Sequence, residues 1–340
     1  HGTLSLAADG GFTYTPHEQF VGEDTFTYKA HDGVEESAAN TVTISVTGGA
    51  VYHVTTTADS GLGSLRAAIE YANVHPWTQI VFTIPLTDEG YANAVFTIQP
   101  LTPLPVLAAI SASIHGETQA AFSGDTNPLG PEIVLNGTLA GEAASGIEIA
   151  GMGNLLRGIV INGFARCGVI AGTVESWGQH RVESCYVGTD SSGMTAVPNV
   201  TSAALLAGIR IAGGVGTVIG GTVPGAGNLV SGNGTDSVLA DGIQIYGATA
   251  RANRIEGNRI GTDRSGTATL PNSRAGVLLY TCGADNLLGG AEAGARNLVS
   301  GNTTHGVIVC NLYGSGNRIS GNYIGTDIHG AAALGNAQCG

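Results

Sequence analysis

The sequence is short of charge and almost without lysine. Only 11% of its 340 residues are charged, the 26 acids outnumber the 13 bases for a net charge of −13, and Lys29 is the one lysine. No basic stripe exists to neutralise a phosphate backbone or an anionic bilayer, so nucleic acid is excluded as a partner. Long apolar runs are also missing. The longest, such as LPVLAAI at 104–110, fall far below the roughly 20 residues of a spanning helix, and no membrane insertion is expected. Cysteine is sparse and unpatterned: Cys167, Cys185, Cys282, Cys310 and Cys339 are odd in number and lack CxxC or Cys/His metal spacing. That excludes a zinc site and a dense disulfide scaffold, and leaves small buried hydrophobes as the reading. Proline is limited to 11 residues, and the 54 glycines follow no Gly-X-Y period, which excludes collagen. The chain opens at His1 with neither an initiator Met nor a basic and apolar leader, so any export signal is expected outside this stretch.

What is present is alternation. In TLSLAADGGFTYTP and DTFTYKAHDGVEESAANTVTISVTG, apolar and polar residues alternate, with Asp9-Gly10 and Asp32-Gly33 at turn positions. Four short strands over 1–48 are predicted, joined as hairpins. This stretch resembles the second half of the cadherin-like or bacterial Ig-like modules of large surface proteins, and the resemblance implies a partial sandwich. Asp24 and Asp32 are candidate calcium ligands, because hard cations take carboxylate oxygens, although a turn aspartate bonding its own backbone explains both.

Residues 49–75 form a second unit, a linker and a capping helix. Ser64 can cap a helix whose Leu65, Ala68, Ile69 and Ala72 share one face. From 76 to 340 the chain repeats. Gly-apolar-x-apolar appears at 146, 208, 242, 276 and 306, with GVIA at 168, and Ile243 and Ile245 are expected inward with Gln244 in solvent. NLVSGN occurs at 228 and 297, whereas an apolar residue followed by GTD recurs with Asp190, Asp263 and Asp327. Two coil types therefore alternate, one with a GTD loop and one with an IGG loop. Coils of about 30 residues cannot bury their inner faces alone and must stack.

TTTADSGLGSLRAAIEYAN, IHGETQ, GNRIGTD and GAGNLVSGN resemble the parallel β-helix repeats of large bacterial exported polypeptides. The resemblance implies an all-β fold: a right-handed parallel β-helix of about nine or ten coils, capped by the helix and preceded by the partial module. It specifies architecture far more than activity, because β-helices serve both as adhesins and as polysaccharide-active enzymes.

Catalysis needs one constellation with distinct acid and base roles. Asp190, Asp263 and Asp327 recur every second coil, about 10 Å apart, in near-equal surroundings. Equal environments give equal roles, so these are read as structural turn loops, with a line of weak calcium sites as the alternative. The calcium nonapeptide GGxGxD is absent, since Thr217 stands where AGGVGT needs an Asp. Asn233, Asn258, Asn302 and Asn322 close Gly-Asn turns and are expected to stack, with Cys185 in the corresponding place when HRVESCYVGTD is laid on NRIEGNRIGTD. The segment with the least repetition is VESWGQHRVES at 174–184. There Glu175, Glu183 and His180 are the acid and base candidates, while Trp177 and Arg181 are candidate sugar contacts. Arg254, Arg259, Arg264, Arg274 and Arg318 fall near acids and read as a solvated face of mixed charge.

The balance is against catalysis. A secreted or cell-surface structural or adhesive segment is expected, with no cofactor unless calcium. A polysaccharide lyase, glycoside hydrolase or carbohydrate-binding β-helix is the alternative. Expected partners are further copies or continuation of a larger polypeptide, and polysaccharide under the alternative. Both ends read as uncovered edges that a tandem or polymeric neighbour would cover.

Overall fold

The computed structural model describes residues 2–7, 11–16, 22–31, 33–46, 49–172, 178–202, 206–310 and 313–340. Alternation at the front produces two antiparallel hairpins, Gly2–Leu6 with Phe12–Pro16 and Gly22–Tyr28 with Asn40–Val46, each a separate two-stranded sheet. Phe12 and Phe26 meet edge to face at 5.2 Å, and the Tyr14 hydroxyl donates to the Asp24 carboxylate at 2.6 Å, joining one hairpin to the other.

From Val51 onward the strands assemble into three long sheets. The first holds nine parallel strands, from Val51–Val54 to Arg318–Ser320. The second also holds nine, beginning with Tyr91–Ala92 antiparallel to Val95–Ile98 and continuing in parallel to Tyr323–Ile324. The third has six, from Ile147–Ile149 to Val307–Cys310. From Ser113 on, the chain visits first, second and third sheet in turn and returns one strand farther along. Arg181–Glu183, Tyr186–Val187 and Leu206–Ala212 are thus followed by Val218–Gly220, Leu229–Val230 and Ala240–Tyr246. The fold is all-β, and its long parallel sheets are consistent with a β-helix.

Register follows from the inward rows. Ile114, Leu156, Val182, Ile219, Ile255 and Leu288 pair across the first sheet, Ile161, Val187, Val230, Ile260 and Val299 across the second, and Ile211, Ile245 and Leu279 across the third. All are at most 1% exposed and form one core. A slip by one residue would turn a whole row outward, and each such side chain contributes about 1.5–3 kcal/mol by burial. In the last rung, Ile319 and Val309 occupy the same rows yet are each 44% exposed.

At the other end lies helix α1, Leu65–Val74. Ser64 Oγ accepts from Ala67 N at 3.2 Å, and Leu65, Ala68, Ile69 and Ala72 are buried, as their spacing predicts. The helix packs on the first two strands of the first sheet. A second helix, α2 (Thr118–Ser123), has no apolar period and was invisible in the sequence. Polar groups hold it instead: Phe82 N donates to Thr118 Oγ1 at 2.8 Å, and the Gln119 amide both accepts from Ile84 N and donates to Ile84 O at 2.9 Å. The outward row of the third sheet also departs from expectation. Gln244 is buried rather than in solvent, because Arg210 and Leu278 flank it in register and the Tyr246 ring next along the strand carries the Arg210 guanidinium at 4.2 Å.

Candidate functional site

The three GTD loops share one conformation. Asp190 N donates to Thr195 O, Asp263 N to Ala268 O and Asp327 N to Ala332 O, at 2.9, 2.9 and 2.8 Å. Gly193, Gly266 and Gly330 turn each loop at φ of 68, 72 and 70°, in the left-handed region that a side chain disfavours. Each carboxylate accepts hydrogen bonds from its own turn. Asp190 accepts from Met194 N at 3.1 Å and Thr195 N at 3.2 Å, Asp263 from Gly266 N at 3.0 Å and Ser265 Oγ at 2.7 Å, and Asp327 from Ala331 N at 2.9 Å and Ala332 N at 3.2 Å. The N–H of Ala331, then that of Ala332, holds the Asp327 carboxyl below the usual carboxylate range. The loops also bond to one another over the intervening coil. Arg264 N donates to Gly193 O and Ile328 N to Gly266 O, both at 2.9 Å, while Asn127 Nδ2 reaches Ser191 O at 3.0 Å. A ridge results along the outside of the second sheet.

Inside the corners run asparagine ladders. Asn228, Asn258, Asn297 and Asn322 stack with Nδ2 donating to the next Oδ1 at 2.8 to 3.0 Å, and Cys185 N donates to Asn228 Oδ1 at 2.9 Å from the rung before. Asn199, Asn233, Asn272, Asn302 and Asn336 form a second ladder at 2.9 to 3.1 Å. A third, Asn253, Asn286 and Asn317, lies just before the strands of the first sheet. Backbone at sharp corners cannot pair within a sheet, and the amides satisfy it there.

His180 stands in this third line. Asn154 precedes it by one rung and Thr217 follows it, each immediately before a first-sheet strand. It is fully buried, its Nδ1 accepts from Asn154 N at 3.4 Å, and its Nε2 has no partner. Accepting at Nδ1 leaves the proton on Nε2, and burial pushes the imidazole down to about 4. Glu183 is 5% exposed and accepts from Arg181 Nε at 2.7 Å. Arg254 and Glu256 repeat this arrangement two rungs on, at 2.8 Å. Thus three members of the apparently non-repeating cluster occupy repeated positions, and neither His180 nor Glu183 faces solvent. Glu175, Trp177 and Asp32 lie outside the described residues.

A further buried carboxylate is likewise engaged. Asp241, buried, accepts from Arg274 at 3.2 Å and from Ala275 N at 3.2 Å, and burial pushes its carboxyl up to about 6 against both. All five cysteines are free, with Cys167, Cys185 and Cys282 buried, and burial pushes the Cys185 thiol up to about 12. Such thiols are inert. Among the described residues no group of three or more His, Cys, Asp or Glu is placed to hold a metal ion, and no helix is long and apolar enough to cross a membrane.

No curated protein and no solved structure matches the chain. Residues 1–48 match the bacterial cadherin-like domain, which points to a surface or adhesive role for the protein that carries them.

Proposed function

We propose that the chain is a non-enzymatic structural or adhesive segment of an extracellular or cell-surface protein, part of a larger tandem or polymeric assembly. The cadherin-like match over residues 1–48 carries this reading. The rest of the molecule supports it: the most regular acids each brace their own turn, and His180 is walled into a corner of the stack. We take the three sheets as a right-handed parallel β-helix, whose nine rungs make a rod of about 40 Å at about 4.8 Å per rung. The proposal assigns no cofactor. It is tested by incubating the purified protein with a panel of neutral and acidic polysaccharides and following chain length. No cleavage is expected; cleavage that Glu175→Gln or Glu183→Gln abolishes would overturn it.

A further inference from the structure

Two adjoining cavities, of 440 and 260 Å³, lie on the outside of the corner between the first and second sheets and share Gly225, Gly227 and Arg259. Their floor is the turn after successive first-sheet strands, at Gly116, Gly158, Ser184 and Gly227, so the cleft runs along the stack axis. One wall is the ridge of GTD loops, continued by the 125–132 segment, where the Tyr186 hydroxyl and Arg264 both donate to Leu129 O at 3.0 and 2.9 Å. The floor and that wall are thus built from separate rungs locked together, a preformed trough of the size ligand sites have.

Two groups in it lack partners. Glu132 is 4% exposed, and its Oε1 accepts from Thr126 N at 2.5 Å, but its buried Oε2 has no hydrogen bond. A buried acceptor left bare is costly in a native fold, and this one belongs to a residue that lines the cleft. Arg259 is exposed and, among the described residues, has neither an ion pair nor a side-chain hydrogen bond, although Arg181 and Arg254 each hold a glutamate on their own strand. It stands on the outward row between the buried Leu229 and Leu298. From the strand after Glu132 to that of Arg259 there are four rung steps, about 19 Å. A single sugar does not span that distance, whereas an extended chain does.

We propose that this cleft binds one strand of a neutral linear polysaccharide. Hydroxyl groups both donate and accept, so one polymer can give a hydrogen to Glu132 and take one from Arg259, with the Tyr186 ring beside it. A polyanion would meet Glu132 and the exposed Asp125 at one end, and a polycation would meet Arg259 at the other. The inference rests on the adhesive reading for its setting, and it names what the surface would hold.

The test is binding of the intact chain, by calorimetry, to hexasaccharides of β-glucan, xylan and mannan, with oligogalacturonate and chitosan hexamers as charged counterparts. At least one neutral hexamer should bind, its disaccharide at least tenfold more weakly. Arg259→Ala and Glu132→Gln should each weaken the hexamer at least tenfold, while Tyr246→Ala on the third sheet leaves it unchanged. Because Arg259 is exposed, its variant keeps the test interpretable if Glu132→Gln misfolds. Failure of every neutral hexamer at millimolar concentration, binding of a charged hexamer alone, or indifference to Arg259→Ala would overturn the proposal. A hexamer that binds and is cleaved sinks the non-enzymatic reading and leaves the cleft standing; no binding and no cleavage does the reverse.

Discussion

A histidine inside a line of asparagines sets a measurable pH response. In the open chain His180 titrates near 6.5, and in the fold burial lowers it to about 4. Between those values the unfolded chain takes up the proton and the folded one does not. The stability linked to His180 is therefore complete above pH 6.5 and is lost as pH falls toward 4, by about 2 kcal/mol between pH 8 and pH 5. Asp241 has the opposite sign: with its carboxyl raised to about 6, the stability linked to it is present below pH 4 and is lost as pH rises through 6. The two cannot be separated in the parent protein alone. The variant His180→Asn, which places the ladder's usual residue in the gap, subtracts the first and keeps the second. Urea midpoints at pH 5 and pH 8 should show the variant gaining on the parent at the lower pH, and parallel behaviour of the two proteins would refute the assignment of the response to His180.

Within one corner ladder the cost of losing an amide depends on where it sits. Asn258 donates to Asn297 Oδ1 and Ile219 O and accepts from both the backbone and the side-chain amide of Asn228, all at 2.9 to 3.0 Å. Asn258→Ala leaves several buried groups bare and should cost about 3 kcal/mol or more, whereas Asn322→Ala, at the part-exposed end of the same line, should cost under about 1.5 kcal/mol. Equal losses in denaturant titrations would mean that the amides do not act in series. Stacked asparagines were legible because Gly-Asn recurs at the spacing of the coils, and Gly-x-apolar alternation likewise announced the third sheet. The division into three corners was not, since Asn199 and Asn272 follow proline while Asn233 and Asn302 of the same ladder follow Ser-Gly, and Asn253 of another follows alanine. His180 could have been placed: laying HRVESC on NRIEGN sets it opposite Asn253, which turns a candidate base into a corner residue. Helix α2, the buried state of Gln244 and the cleft beside Arg259 depend on contacts between distant rungs, and no window of sequence contains them.

Each rung touches chiefly the rungs before and after it, so the molecule should open from its least covered layer inward. Hydrogen exchange is expected to be fastest in 318–324, slower in 287–299, and slowest around 181–187; a single uniform rate through all three would show one indivisible unit instead. The bonds from Arg264 N to Gly193 O and from Ile328 N to Gly266 O add a rule of parity to this picture. Adding or removing one rung would put a Ser-Gly-Asn turn, in place of a Thr-Asp loop, two rungs from a Thr-Asp loop and leave that loop's tip without its partner, while adding or removing two preserves every outer bond. Length in such a molecule changes without penalty only in even steps, about 10 Å at a time, so the duplication it tolerates is of a pair.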